Sequence, residues 1–186
     1  MTKPLLVLED ITRRRRLFRV FDVTWWATRY AWMSPLCWVG LGLAMAFADR
    51  RQADAAGVMV AALWYGAMLY AANILHSLGH IIAGRVVGSP VEAILMSSTR
   101  DVAIFAQPGT AAPPRRRLGR SLGGPLANLA VGCALVFGGH LAQARWAVVS
   151  GLINVGVAVW TLMPVPSLDG WVIWTILMRS RSDHAA

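Results

Sequence analysis

The sequence predicts an all-α polytopic membrane protein of about four transmembrane helices, the fourth of them broken, with a small β-hairpin at the membrane edge. Three observations predict it. Of 186 residues, 56% are hydrophobic, above the roughly 45–50% apolar share of soluble domains. Uncharged apolar runs occupy residues 31–48 and 55–75, and two more lie between Ser121 and Pro164, parted by Arg145. Each approaches the roughly 20 residues that a helix needs to cross a bilayer core. Finally, with the N-terminus inside, Lys3, Arg13 to Arg16, Arg19, Arg29, Arg85, Arg100, Arg115 to Arg117, Arg120, Arg179 and Arg181 fall on the cytoplasmic side. Only Arg50, Arg51 and Arg145 fall outside, a strong positive-inside bias.

The elements follow in order. Residues 1–24 form a basic cytoplasmic segment, in which the run Arg13-Arg14-Arg15-Arg16 precedes the interfacial pair Trp25 and Trp26 and suits anionic headgroups. A membrane domain spans residues 25–178. Its first helix is expected over 25–48 as a retained anchor, since it starts too late and runs too long for a secretory signal. A polar turn over 49–54 leads to a second helix from Ala55 to about Ile82, stopped by Gly84-Arg85. Residues 90–108 are too short and polar to cross, and their apolar stretches 91–96 and 102–105 predict the hairpin. A third helix covers about 118–142 and a fourth 146–163. Pro164-Val165-Pro166 breaks the fourth before an apolar half-helix at 171–178, and residues 179–186 form a cytoplasmic tail.

The composition also excludes classes. The formal charge of +9 flanks apolar spans instead of interleaving with aromatics along a groove, so no nucleic-acid partner is expected. Membrane lipids and membrane-embedded protein helices are the expected partners, and a bacterial inner (plasma) membrane is the expected location. Cys37 and Cys133 both fall inside predicted spans and are read as small core residues, not as a disulfide or a metal site. The nine tryptophans and His140 raise the idea of a pigment or haem, but interfacial placement accounts for most tryptophans.

His76 and His80 stand four residues apart, so one helix face offers two imidazoles to one metal ion, with interhelical packing as the competing reading. Counting spans brings Asp169 to the same side and depth. Two histidines and a carboxylate leave one of zinc's four positions open, as in catalytic zinc sites.

Through three segments in the right order, the chain resembles the site-2 protease family of intramembrane zinc metalloproteases. His76-Ser77-Leu78-Gly79-His80 matches the family's H-E-x-G-H helix except at the glutamate. Gly124-Pro125-Leu126-Ala127-Asn128 matches its G-P-x-x-N motif. Asn154 with Pro164-Val165-Pro166-Ser167-Leu168-Asp169-Gly170 is similar to its N…P-x-P-x-L-D-G segment. The resemblance covers a core of about residues 55–178. It implies zinc held by His76, His80 and Asp169, and a hairpin on which an unwound substrate adds a strand. It also places Asn128 near the site to position substrate or an oxyanion. A helix-to-helix hydrogen bond is the alternative role for Asn128.

Ser77 stands where the family carries its general base, and a hydroxyl does not take a proton near neutral pH. Three functions are open: a zinc-binding pseudoprotease with a regulatory or scaffolding role, an active protease with a displaced base such as Glu92, and a non-enzymatic subunit of a membrane assembly. Glu92 and Asp101 in the hairpin are both expected to be solvated. A Ser77 introduced by engineering would restore proteolysis as the native activity.

Overall fold

The computed structural model describes residues 14–49, 54–98, 101–107 and 111–182, with side chains as far as Met178. Lys3, Arg13, Arg50, Arg51 and Arg100, the side chains of Arg179 and Arg181, and the tail beyond Ser182 lie outside the described residues. The chain opens with strands β1 (Arg15–Val20) and β2 (Val23–Ala27), followed by helices α1 (Met33–Asp49) and α2 (Ala55–Val86). Strands β3 (Val91–Met96) and β4 (Asp101–Phe105) come next, then helices α3 (Pro114–Leu141), α4 (Arg145–Thr161) and α5 (Asp169–Ser182).

The expected two-stranded hairpin is half of a four-stranded sheet in the order β1-β2-β3-β4. Trp25 and Trp26 therefore belong to a strand and not to the first helix, which begins eight residues later at Met33. The boundary placed between residues 24 and 25 falls inside β2. Phe21 and Asp22, at φ 48° and 59°, form a two-residue turn of the mirror-image kind that matches strand twist. Beyond it Val23 and Trp25 point inward while Thr24 and Trp26 are less buried, the period-2 alternation of a half-buried strand. Interfacial and strand tryptophans are the same residue type, so composition alone did not separate them.

Strand β2 runs parallel to β3, and α1 and α2 form the connection that a parallel pair requires. Val23, Trp25, Val91 and Ile94 pack on Ile81 of α2, with Ile74 and Leu78 beside them. Arg85 also donates to the carbonyl of Phe21, tying the β1–β2 turn to the same helix. Thus the sheet is fixed against the stretch of α2 that carries His76 and His80.

Helices α2 and α3 are each long and apolar enough to cross a membrane; α1 and α4 are apolar but have 17 residues each. Helix α2 runs past the expected stop at Gly84-Arg85 to Val86, and the Val87 N–H still reaches the Ala83 carbonyl. Ala46, Ala62, Tyr65, Leu69, Ala72 and Ile153 form the core shared by α1, α2 and α4. At the end of the bundle away from the histidines, Asp49 accepts from Tyr65 Oη at 2.9 Å and from Arg145 Nη2 at 3.2 Å. Cys37 and Cys133 are exposed on the helix exteriors and do not fill the core as expected. The break around Pro164 is present: α4 ends at Thr161, and α5 starts at Asp169 after a turn in which Ser167 takes φ 79°.

Because Trp25 is only 3% exposed and stacks on Phe18 at 5.4 Å, truncating it leaves a large cavity in the sheet. Trp25→Ala is expected to cost about 3–5 kcal/mol, and Trp32→Ala at an exposed site within about 0.5 kcal/mol. Unfolding followed by tryptophan fluorescence in detergent checks both.

Candidate metal centre

Helix periodicity places His76 and His80 one turn apart on α2, and α5 begins at Asp169 against them. His76 Nε2 lies 2.9 Å from Asp169 Oδ2, His80 Nε2 lies 3.3 Å from the same oxygen, and the two Nε2 atoms are 3.1 Å apart. Tetrahedral ligands about 2.0–2.1 Å from zinc sit about 3.3 Å from one another. The three donor atoms thus have the mutual spacing of a zinc ligand set. Among the described residues they are the one group of this kind able to hold a metal ion.

Local hydrogen bonding prepares these donors. His80 Nδ1 is 2.8 Å from the Arg120 carbonyl oxygen, which only accepts, so Nδ1 carries the proton and the neutral ring presents a lone pair at Nε2. Such an outer partner is what orients a metal-binding imidazole and raises its basicity. Arg120 is itself fixed, donating to Ser89 Oγ at 3.1 Å and to the Gln107 carbonyl at 3.0 Å, with its guanidinium 4.1 Å above the Phe105 ring. Close approach of α3 makes room for both rings. A Cβ on Gly124 would meet His76 and His80 ring atoms at 2.5–2.7 Å. Likewise a side chain at Gly170 would collide with the Leu162 carbonyl, so α5 can fold back on the end of α4 only with glycine there.

The ligands open into a cleft of about 450 Å³, lined also by Asn73, Ser77, Asp101, Phe105, Arg117, Arg120 and Ser167. Ser77 is buried and faces this cleft beside the histidines. Asn128 is fully buried one turn beyond Gly124 but does not line the cleft, and neither its Oδ1 nor its Nδ2 has a hydrogen-bond partner among the described residues.

Of the two hairpin acids expected to be solvated, Glu92 is exposed and does not line the cleft, whereas Asp101 is half-buried and lines it. Asp101 Oδ2 accepts from Asn73 Nδ2 at 2.9 Å, and Oδ1 is buried without a hydrogen-bond partner among the described residues. Burial pushes the Asp101 carboxyl up to about 6, with the Asn73 hydrogen bond opposing that rise. Asn73 was legible in principle: it is an isolated polar residue three positions before His76 on the same helix face. Asp101 was not, because its depth depends on how the sheet docks.

No family model matches the chain, and no curated protein matches it. Among solved structures it is similar to the Site-2 Protease from Methanocaldococcus jannaschii, with a TM-score of 0.60 and 17% identity over 90% of this chain and 72% of that one. The chain therefore has a site-2 protease-like fold, with a His/His/Asp cluster that could hold a metal at its centre.

Two outcomes follow from this geometry. Gly124→Ala pushes both imidazoles aside and is expected to weaken cobalt or zinc binding by about 10–100-fold, whereas Gly138→Ala, with open space around it, leaves affinity unchanged. Calorimetric titration of the metal into both variants checks this. Folded Asp101 keeps its proton up to about 6 against an ordinary 3.8, so its contribution to stability is lost as pH rises through that window. Asp101→Asn removes this part of the slope, and melting curves across pH 3.5–7 for the two proteins measure the difference.

Proposed function

We propose that this chain is a zinc-binding integral membrane protein that receives an extended stretch of a membrane-embedded polypeptide and is impaired as a protease. The convergence of His76 Nε2, His80 Nε2 and Asp169 Oδ2 carries the reading. Helices α1 and α4, 17 residues each, count as crossings beside α2 and α3, giving four. The excess of arginine at one end supports an N-terminus and metal pocket facing the cytoplasm, and we assign the protein to a bacterial inner membrane.

Zinc bound by the three ligands would supply Lewis acidity, polarising a carbonyl presented at the open fourth position. The chain's own residues do the rest. The His80 hydrogen bond to the Arg120 carbonyl holds that ring's lone pair toward the metal position. Strand β4 is the edge of the sheet and borders the cleft through Asp101, Val102, Ala103 and Phe105, so its free backbone groups can pair with an unwound segment. Ser77 lacks the basicity to take a proton from attacking water, a loss of about 10²–10⁴-fold in rate. The outcome is a site that binds better than it cuts.

A second reading retains slow hydrolysis with a base brought from outside α2. It is favoured by one observation: the buried carboxylate of Asp101 shares the cleft with the metal ligands.

Purified protein is expected to hold one zinc per chain, and Asp169→Ala or His76→Ala to release it, as read by metal analysis after gel filtration. Ser77→Glu should raise cleavage of single-span substrates while zinc content stays the same. Protein without stoichiometric zinc after loading sinks the reading.

A further inference from the structure

The cleft contains two acidic residues among those described, and Asp169 is committed to the histidines. Asp101 is not. It enters from the first position of β4, an element separated from α2 in sequence, and its Oδ2 is held by Asn73 of α2. Asn73 lies four residues before Ser77 and three before His76, so all three side chains share one helix face.

Side chains on an α-helix lean back toward its N-terminus and cover the turn that precedes their own Cα. A glutamate at position 77 would accordingly reach over the turn that Asn73 occupies. A carboxylate already sits there, contributed by the sheet. We infer that Asp101 supplies from β4 the proton-accepting carboxylate that α2 lacks at position 77, leaving the site a slow peptide hydrolase. The inference rests on the reading that this pocket holds zinc and an extended polypeptide.

Three features of the site agree with that role. A purely structural tie between hairpin and helix would use Oδ2 and need nothing of Oδ1, yet Oδ1 is buried with no hydrogen-bond partner among the described residues, a cost that a bound partner relieves. A reacting water is such a partner. Second, burial brings the proton affinity of Asp101 toward neutrality, where a general base works best. Third, Arg117 and Arg120 line the same cleft but make no ion pair with Asp101 among the described residues, so neither arginine pulls its proton affinity back down.

The chemical step is a hydrolysis. As the water oxygen attacks the peptide carbonyl carbon, the C–O bond forms, the carbonyl π electrons move to oxygen, and Asp101 Oδ1 takes the water proton. When the carbonyl re-forms, the C–N bond breaks and Asp101 gives that proton to the departing nitrogen. One water is consumed per bond cut, and the carboxylate is regenerated.

A double-mutant cycle tests the inference on the full-length protein, using wild type, Asp101→Asn, Ser77→Glu and the double variant. Each is measured for cleavage of a single-span substrate when zinc-loaded, for cobalt absorption, and for melting temperature without metal. In the wild-type background, Ser77→Glu should lower the melting temperature by crowding two carboxylates over one turn, and Asp101→Asn should relieve that loss. Asp101→Asn alone should slow cleavage by about 10²–10⁴-fold with the cobalt spectrum unchanged. The double variant should cut at least as fast as wild type. Equal cleavage by wild type and Asp101→Asn overturns the inference, as does a Ser77→Glu protein that cuts while wild type does not. An identical effect of Ser77→Glu on melting in both backgrounds overturns it too. Failure of wild type to bind zinc or cobalt sinks the zinc reading alone, and the metal-free melting cycle then judges the placement of Asp101.

Discussion

The whole site depends on how closely α3 approaches α2. At Gly124 the α3 backbone comes so near the two imidazoles that even a methyl group would displace them. The same approach brings the Arg120 carbonyl within 2.8 Å of His80 Nδ1, which settles the tautomer and leaves Nε2 free to bind. One helix contact therefore both makes space for the two rings and selects the tautomer of His80. Pro125 follows directly, inside α3 and almost fully buried, and brings no N–H to the helix at the level of the site.

A second layer of support comes from the sheet. Val23 and Trp25 from the N-terminal hairpin and Val91 and Ile94 from β3 clamp on Ile81, the residue after His80. This packing fixes β4 at the edge nearest the cleft and lowers Asp101 onto Asn73. The hairpin is thus a structural arm that carries one carboxylate to the helix and offers an unpaired strand edge beside it. Both consequences follow from the burial of a few apolar side chains on one face of α2.

Charged groups are distributed to limit the cost of burial. At one end of the bundle Asp49 is shared by Tyr65 and Arg145, and at the other the Asp169 carboxylate lies between two histidines. Arg120 lies over Phe105 and donates to Ser89 and Gln107. Among the described residues, Asp101 Oδ1, His76 Nδ1, Arg117 Nε and both polar atoms of Asn128 are buried without hydrogen-bond partners at or near the cleft, and so are Trp25 Nε1 in β2 and Asn154 Oδ1 in α4.

The sequence by itself determined the two helices long and apolar enough to cross a membrane, the hairpin over β3 and β4, the break at Pro164 and the identity of the three metal-ligand candidates. These are local or periodic properties: apolar run length sets a span, a four-residue spacing sets a shared helix face, and proline ends a helix. Tertiary structure alone decided that residues 15–27 complete a sheet, that the cysteines face outward, and that Asp101 rather than Glu92 enters the cleft. Asp101 and Glu92 are the same chemistry on neighbouring strands of one hairpin. Only the register of β3 with β4, and the face of that sheet which docks on α2, distinguishes a solvated acid from a buried one. That choice is made by long-range packing, to which no local pattern in the chain corresponds.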